Sequence, residues 1–178
     1  MTRKVVFLDC DGVLNSTLTA DFRPKKRYRG GGVFSAGGLV WSTPRLGGGG
    51  GRVLLLLQSD LVAVARQLVF DTDAEVVLSS SWRDVVTLTH VGAMLDRAGW
   101  DDAPLVDVTP SAPQLGYDVS RADEVRAWVQ RHLNDRDRWV ALDDSWSDPD
   151  DAHVVHVDPQ VGLTGADAVR ARRMLQGG

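Results

Sequence analysis

The stretch that most constrains the fold is Lys4-Val5-Val6-Phe7-Leu8-Asp9-Cys10-Asp11-Gly12-Val13-Leu14-Asn15. An apolar run enters two aspartates separated by a single residue, and a glycine follows at once. Ionised groups at the edge of a core are costly unless they are paired or bound to a cation. If the run is a parallel strand, its carboxyl end is where open α/β sheets bind their ligands. Residues two apart on a strand lean to the same side, so Asp9 and Asp11 can share a face. Gly12 permits a sharp backbone turn. Two hard oxygen ligands at such a place suit Mg²⁺ and a phosphate. The alternative is a strand followed by a plain Asp-Gly turn.

Further along the chain, strand and helix patterns alternate. Leu61, Val64, Ala65 and Leu68 fall at i, i+3, i+4 and i+7, which predicts a helix over 60–69 capped by Ser59 or Asp60. Residues 75–79 read as a second strand that runs into Ser79-Ser80-Ser81-Trp82-Arg83. Asp84 is expected to cap a helix reaching Arg97, with Gly99 as its stop. A short third strand is expected over 104–108. Ser120, with Asp123 or Glu124, opens a helix whose buried stripe is Val125, Trp128, Val129 and Leu133. Trp139 to Leu142 is a fourth strand running into Asp143-Asp144, and His153 to Val157 a fifth. Thr164, with Asp167, starts a last helix that runs through Leu175. This alternation predicts an α/β fold, a Rossmann-like parallel sheet with helices on both faces. At 178 residues the chain suits one domain, 1–178.

Residues 16–52 differ in kind. They hold three glycine clusters and seven basic residues (Arg23, Lys25, Lys26, Arg27, Arg29, Arg45 and Arg52) against one acid, Asp21. The Gly-rich segment lacks the Gly-Lys-Ser/Thr ending of a phosphate-binding P-loop. It is expected to be a mobile flap or small cap inserted after the first strand, with Val33-Phe34 and Leu39-Val40-Trp41 forming a short hairpin. The alternative is a solvated loop. The longest apolar run, Val53 to Leu57, falls far short of a membrane span. No signal-peptide pattern precedes the first strand, so a cytoplasmic location is expected and no membrane partner. Cys10 is the one cysteine, so an intramolecular disulfide is impossible, and a buried, inert thiol is expected. A net charge of −4 makes no general case for nucleic-acid binding, which leaves the basic flap 23–52 as a local patch.

Strands one, two and four end in Asp9 and Asp11, in Ser79 to Ser81, and in Asp143 and Asp144. In a parallel sheet these ends share one edge and can converge. Crowded carboxylates repel, and a divalent cation is the simple remedy. Hydroxyls and backbone N–H groups can hold phosphate oxygens. Arg121, at a helix start, can supply a cation, with Lys4 and the flap residues as competitors.

These motifs resemble the haloacid dehalogenase (HAD) superfamily of aspartyl phosphatases. Asp9 to Leu14 looks like its first motif, the serines after strand two its second, Arg121 its third, and Leu142-Asp143-Asp144 its fourth. More narrowly, Phe7 to Asn15, Leu78 to Arg83, Arg121 to Trp128 and Asp158 to Thr164 resemble small HAD proteins. That group includes the HAD domain of multidomain RNA-repair proteins and relates to polynucleotide-end phosphatases.

The resemblance implies roles. Asp9 would be the nucleophile that forms an aspartyl-phosphate, and Asp11 the general acid and base. Mg²⁺ would lie between the Asp9 carboxylate, the Asp11 backbone carbonyl and the Asp143/Asp144 pair. Ser80, or Ser79, would bind the phosphate, and Arg121 would stabilise its charge. The implied function is a Mg²⁺-dependent phosphomonoester hydrolase acting on a nucleotide or an RNA or DNA end, similar to a polynucleotide 3′-phosphatase. The basic flap, with Tyr28, Phe34 and Trp41 interleaved, would hold the polyanion. Alternatives are a small-metabolite phosphatase, a phosphotransferase, and a non-catalytic nucleic-acid-binding protein on this fold. Trp82, Trp128 and Trp139 are expected in the core, whereas Trp146 could stack on a base or sugar. His153 and His156 are expected to be structural, and Arg170, Arg172 and Arg173 a solvated helix face. Oligomeric state is open, since no apolar surface stripe is left unexplained.

Overall fold

Five short apolar runs pair in parallel to make the central sheet of the computed structural model, which describes residues 2–19, 22, 32–46, 51–116, 119–148 and 151–177. The strands are β1 (Lys4–Leu8), β5 (Glu75–Leu78), β6 (Leu105–Val108), β7 (Arg138–Asp143) and β8 (Val154–His156), in the order β6-β5-β1-β7-β8. β2 (Val33–Ala36), β3 (Leu39–Ser42) and β4 (Leu55–Gln58) form a second, antiparallel sheet. The helices are α1 (Ser59–Thr72), α2 (Leu88–Arg97), α3 (Ala112–Leu115), α4 (Arg121–His132) and α5 (Gly165–Gln176).

The predicted parallel sheet with helices on both faces is the fold observed. Side chains alternate across a strand. Val6, Leu8, Val76, Leu78, Val140 and Leu142 therefore pack on one face, in a core shared with α1, α2 and α5. Val5, Phe7, Val77 and Ala141 pack on the other, against Ala122, Val125 and Trp128 of α4. Phe7 meets Trp128 and Trp139 edge-on, at 5.3 and 5.6 Å between ring centroids.

Register decides where the polar ends fall. Leu8 is level with Leu78 on one side and Leu142 on the other. The next residues are Asp9, Ser79 and Asp143, so three chemically active groups reach the sheet edge together. From β1 the chain builds β5 and β6 to one side, then returns to build β7 and β8 on the other. That reversal opens a crevice at the carboxyl end of β1.

Two expected helix caps take the predicted form. Ser120 with Asp123 caps α4, and Thr164 with Asp167 caps α5, each as a reciprocal capping box. Two others are corrected. Neither Ser59 nor Asp60 caps α1, which begins after Gln58 with no side-chain cap; the Gln58 amide oxygen accepts instead from the Ser16 N–H at 2.7 Å. Asp84 does not cap the next helix either. Residues Ser81–Asp84 form a short 3-10 turn that buries Trp82, and Thr87 caps α2 through the His90 N–H.

The described part of the expected flap or small cap, 16–52, packs on the rest of the fold and is not a solvated loop. The expected hairpin is present as β2 and β3, with Gly37 and Gly38 both at positive φ (58° and 78°), the turn geometry that suits a two-residue hairpin. The apolar run Val53 to Leu57 supplies β4, a strand with no alternation of its own to mark it. Val40, Leu55 and Leu57 join the main core, and the sheet packs on α2 and α1. Arg45 and Arg52, both exposed, face each other in an antiparallel bridge. Arg23, Lys25, Lys26, Arg27, Tyr28 and Arg29 lie outside the described residues.

Lys4 sits at the amino end of β1, where its ammonium donates to the Thr72 carbonyl, so it is no competitor for the site. Arg172 is not merely solvated, because it pairs with Asp71 of α1. Among the described residues no helix is long and apolar enough to cross a membrane.

Candidate active site

Asp9 leaves β1 into the crevice only 5% exposed. One of its oxygens accepts the Cys10 N–H at 2.7 Å. Carboxylate oxygens of Asp9, Asp143 and Asp144 lie within 4.8 Å of one another. Burial raises the Asp9 pKa from 3.8 to about 7, and the Asp143 charge adds to it; Arg121, the Cys10 N–H and the Ser80 hydroxyl only partly offset the rise. Asp144 is raised as well, by burial first and then by Asp143. Asp143 is buried, with one oxygen accepting from the Ser145 N–H at 2.8 Å and the other 3.8 Å from Arg121 Nε.

Asp9 and Asp144, both resisting ionisation beside the buried Asp143, make with it a site built for a cation. The donors are all hard oxygens, the set that Mg²⁺ prefers over softer metals, and among the described residues no histidine or cysteine belongs to the group. The residues present therefore fit the metal that the resemblance implies.

The turn after Asp9 is shaped around this cluster. Gly12 has φ +73°, and a Cβ there would lie 2.3 Å from Asp144 Oδ2. Gly12→Ala is therefore expected to push Asp144 out of place, beyond the roughly 1–2 kcal/mol that a side chain pays in left-handed geometry. Isothermal titration with Mg²⁺ should show affinity at least tenfold weaker than wild type; unchanged affinity would mean that Asp144 is not a ligand.

Asp11 sits apart from the three carboxylates, and its side chain is exposed. Both of its oxygens are held, Oδ2 by the Trp82 indole N–H at 2.9 Å and Oδ1 by the Asn15 amide at 2.9 Å. The metal contact that the resemblance assigns to Asp11 is its backbone carbonyl, which these bonds leave untouched.

Ser79 and Ser80 are both buried beside Asp9. The Ser80 hydroxyl accepts from the Trp82 N–H at 3.4 Å and caps the 3-10 turn, whereas the Ser79 hydroxyl has no partner among the described residues. Arg121 is the first residue of α4, as expected. A buried ion pair missed by the sequence reading fixes it. Glu124 receives Arg121 Nη1 on one oxygen at 3.0 Å and Arg83 Nη2 on the other at 2.6 Å. Arg83 also donates to the Ser80 carbonyl at 3.1 Å. The i, i+3 spacing of Arg121 and Glu124 was a visible signal; the link to Arg83, forty-one positions away from Glu124, carried none. An open depression of about 400 Å³ beside this triad is lined by Arg83, Ser120, Arg121 and Ser145.

Trp146 is 6% exposed and packed in the core with Phe7 and Trp128, so the stacking role considered for it is corrected. His153 stacks on Trp139 at 4.4 Å between centroids, away from the acid cluster. Cys10 is fully buried, and burial beside Asp9 pushes its thiol pKa well above 9.0, as expected of an inert thiol.

A five-stranded parallel sheet whose carboxyl edge carries this acid cluster, a serine loop and a helix-borne arginine defines a HAD-like α/β domain. The chain belongs to the family described as the HAD domain in Swiss Army Knife RNA repair proteins, whose model matches residues 5–168. That membership supports a HAD-type phosphatase in general. Comparison with curated proteins and with solved structures gives no match.

Proposed function

We propose that the protein is a Mg²⁺-dependent phosphomonoester hydrolase that works through an aspartyl-phosphate on Asp9, with a nucleotide or a nucleic-acid end as substrate. The observation that carries this reading is the placement of Asp9. It is a buried carboxylate at the level of Asp143 and within reach of the Arg121 charge, with a second, exposed carboxylate two residues on. In the first step Asp9 bonds to phosphorus as the ester P–O bond breaks, and the Asp11 carboxyl proton passes to the departing oxygen, which leaves as an alcohol. In the second, the Asp11 carboxylate takes a proton from water as the water oxygen bonds to phosphorus and the Asp9–phosphorus bond breaks. Asp9, Asp143, Asp144 and the Asp11 carbonyl would hold Mg²⁺, which when bound offsets the charge that opposes anionic attack on a phosphate. Ser80 or Ser79 and Arg121 would hold the phosphoryl oxygens.

The substrate class rests on two supports. The family description names RNA repair. The segment 23–52 concentrates seven basic residues in an otherwise acidic chain, and Arg45 and Arg52 are exposed on it.

Phosphate release is the test, measured with and without Mg²⁺ on mononucleotides, 3′- and 5′-phosphorylated oligonucleotides, a sugar phosphate and an aryl phosphate. Metal-dependent release is expected, fastest from a phosphorylated end. KM for the oligonucleotide should rise steeply with salt as counterion release weakens binding. A KM indifferent to salt would remove the polyanion reading. Oligonucleotide binding with no release from any ester would make the domain a binding module.

A further inference from the structure

Asp11 is gripped in a way that the general chemistry of the site does not require. Its Oδ2 accepts the indole N–H of Trp82, a side chain 2% exposed and anchored in the core. Its Oδ1 accepts the amide of Asn15. Asn15 is itself clamped. Its Oδ1 accepts the Gly12 N–H at 3.0 Å, and its Nδ2 also donates to the Leu56 carbonyl of β4 at 2.9 Å. Neighbouring bonds tie the same strand to the turn, with Gln58 N–H on the Leu14 carbonyl at 2.8 Å and Ser16 N–H on the Gln58 side chain.

We infer that Trp82 and Asn15 are positioning residues that fix the Asp11 carboxyl for proton transfer, and that the small antiparallel sheet serves this end through Leu56. The inference rests on the proposed hydrolase reading and adds to it the residues that aim the acid. Three features support it. Asp11 is exposed, and an exposed carboxylate on a turn would otherwise sample several rotamers. Both donors are neutral, so they orient the group without cancelling its charge as an arginine would. And the two donors come from different elements, the 3-10 turn after β5 and the turn after β1, so their convergence on one carboxylate is a product of tertiary packing. Trp82 thus joins the serine loop to the proton-transfer group, and Asn15 joins the inserted sheet to it.

Proton transfer to a leaving group matters in proportion to how poorly that group leaves. A nitrophenolate departs without help, whereas an alkoxide must be protonated. The experiment compares kcat/KM for wild type, Trp82→Phe and Asn15→Ala across a series of aryl and alkyl phosphates, from p-nitrophenyl phosphate to a nucleoside monophosphate. kcat/KM reports steps up to the first phosphoryl transfer, so the later hydrolysis of the aspartyl-phosphate does not mask the effect. Each variant is expected to lose about 10²-fold on the alkyl ester and only a few-fold on the p-nitrophenyl ester, a steeper leaving-group dependence than wild type. Equal losses across the series, or none, would overturn the inference and leave Trp82 and Asn15 as structural residues. Trp82→Phe keeps an aromatic ring in the core, and circular dichroism reports whether it folds. Should it not fold, Asn15→Ala, on a partly exposed turn, decides by the same criterion. A wild-type protein inert towards the whole series would instead sink the hydrolase reading, and the inference with it.

Discussion

Asp9→Asn is expected to abolish phosphate release, by on the order of 10⁴-fold or more, while making the metal-free protein more stable at neutral pH. The two effects have one origin. The Asp9 carboxyl is buried beside Asp143, and its pKa stands at about 7 in the folded protein against 3.8 unfolded. Between these values the folded state holds a proton that the unfolded chain has released. Stability of the metal-free protein therefore falls as pH rises from about 4 to 7, by a few kcal/mol from this group, and levels off above. Asparagine keeps an oxygen for the Cys10 N–H and carries no charge, so the variant should lose that slope. Asp144, also raised, keeps part of the slope in both proteins, while His90, whose pKa is lowered by burial, works in the opposite sense below pH 6.5. Asp123, Asp137 and Asp151 are shifted down and act below pH 3.8. The difference between wild type and Asp9→Asn isolates the one carboxyl. Thermal melts in EDTA at pH 5 and pH 7 should show the variant's Tm on the order of 5 °C or more above wild type at pH 7, with the gap closing at pH 5. Mg²⁺ should raise the wild-type Tm more than that of the variant. A variant that melts lower than wild type at pH 7 would contradict this account of the site as strained until a cation is bound.

The largest loss of stability is expected at Glu124. Its carboxylate is 6% exposed and bridges Arg83, 7% exposed, and Arg121, 20% exposed. Removing one member of a buried ion pair strands the other charge away from water, at a cost of about 3–5 kcal/mol. Glu124→Leu strands Arg83 most severely, since among the described residues Arg83 then retains only the Ser80 carbonyl. Arg121 retains Asp143 at 3.8 Å. Urea denaturation should show a fall of that size. Because a well-packed apolar pair can replace a buried ion pair at little cost, Arg83→Met combined with Glu124→Leu should recover at least half of the loss. A single-variant loss below about 1 kcal/mol would mean that water reaches the triad. Activity should not return in the double variant, because Arg121 would still lack the anchor that aims it.

What the sequence determined by itself was the part of the molecule governed by local pattern. Apolar runs of strand length located β1, β5, β7 and β8, and reciprocal Ser/Thr and Asp spacing located the starts of α4 and α5. The acid motifs at strand ends were legible too, because ionised groups directly after an apolar run are rarely cost-free. Tertiary structure alone decided the rest. The start of α1 depends on Gln58 being taken by Ser16, and the start of α2 on a 3-10 turn that forms so that Trp82 can be buried. β4 was invisible because four residues of uniformly apolar or neutral character carry no period of their own, and only pairing with β3 makes them a strand. Arg83 meeting Glu124, and Trp82 meeting Asp11, depend on parallel register, which brings the loops after β1 and β5 and the first turn of α4 to one edge. Local propensity reports how a segment curls. Which charge is left without water, and which partner it then needs, is settled only when the segments are packed together.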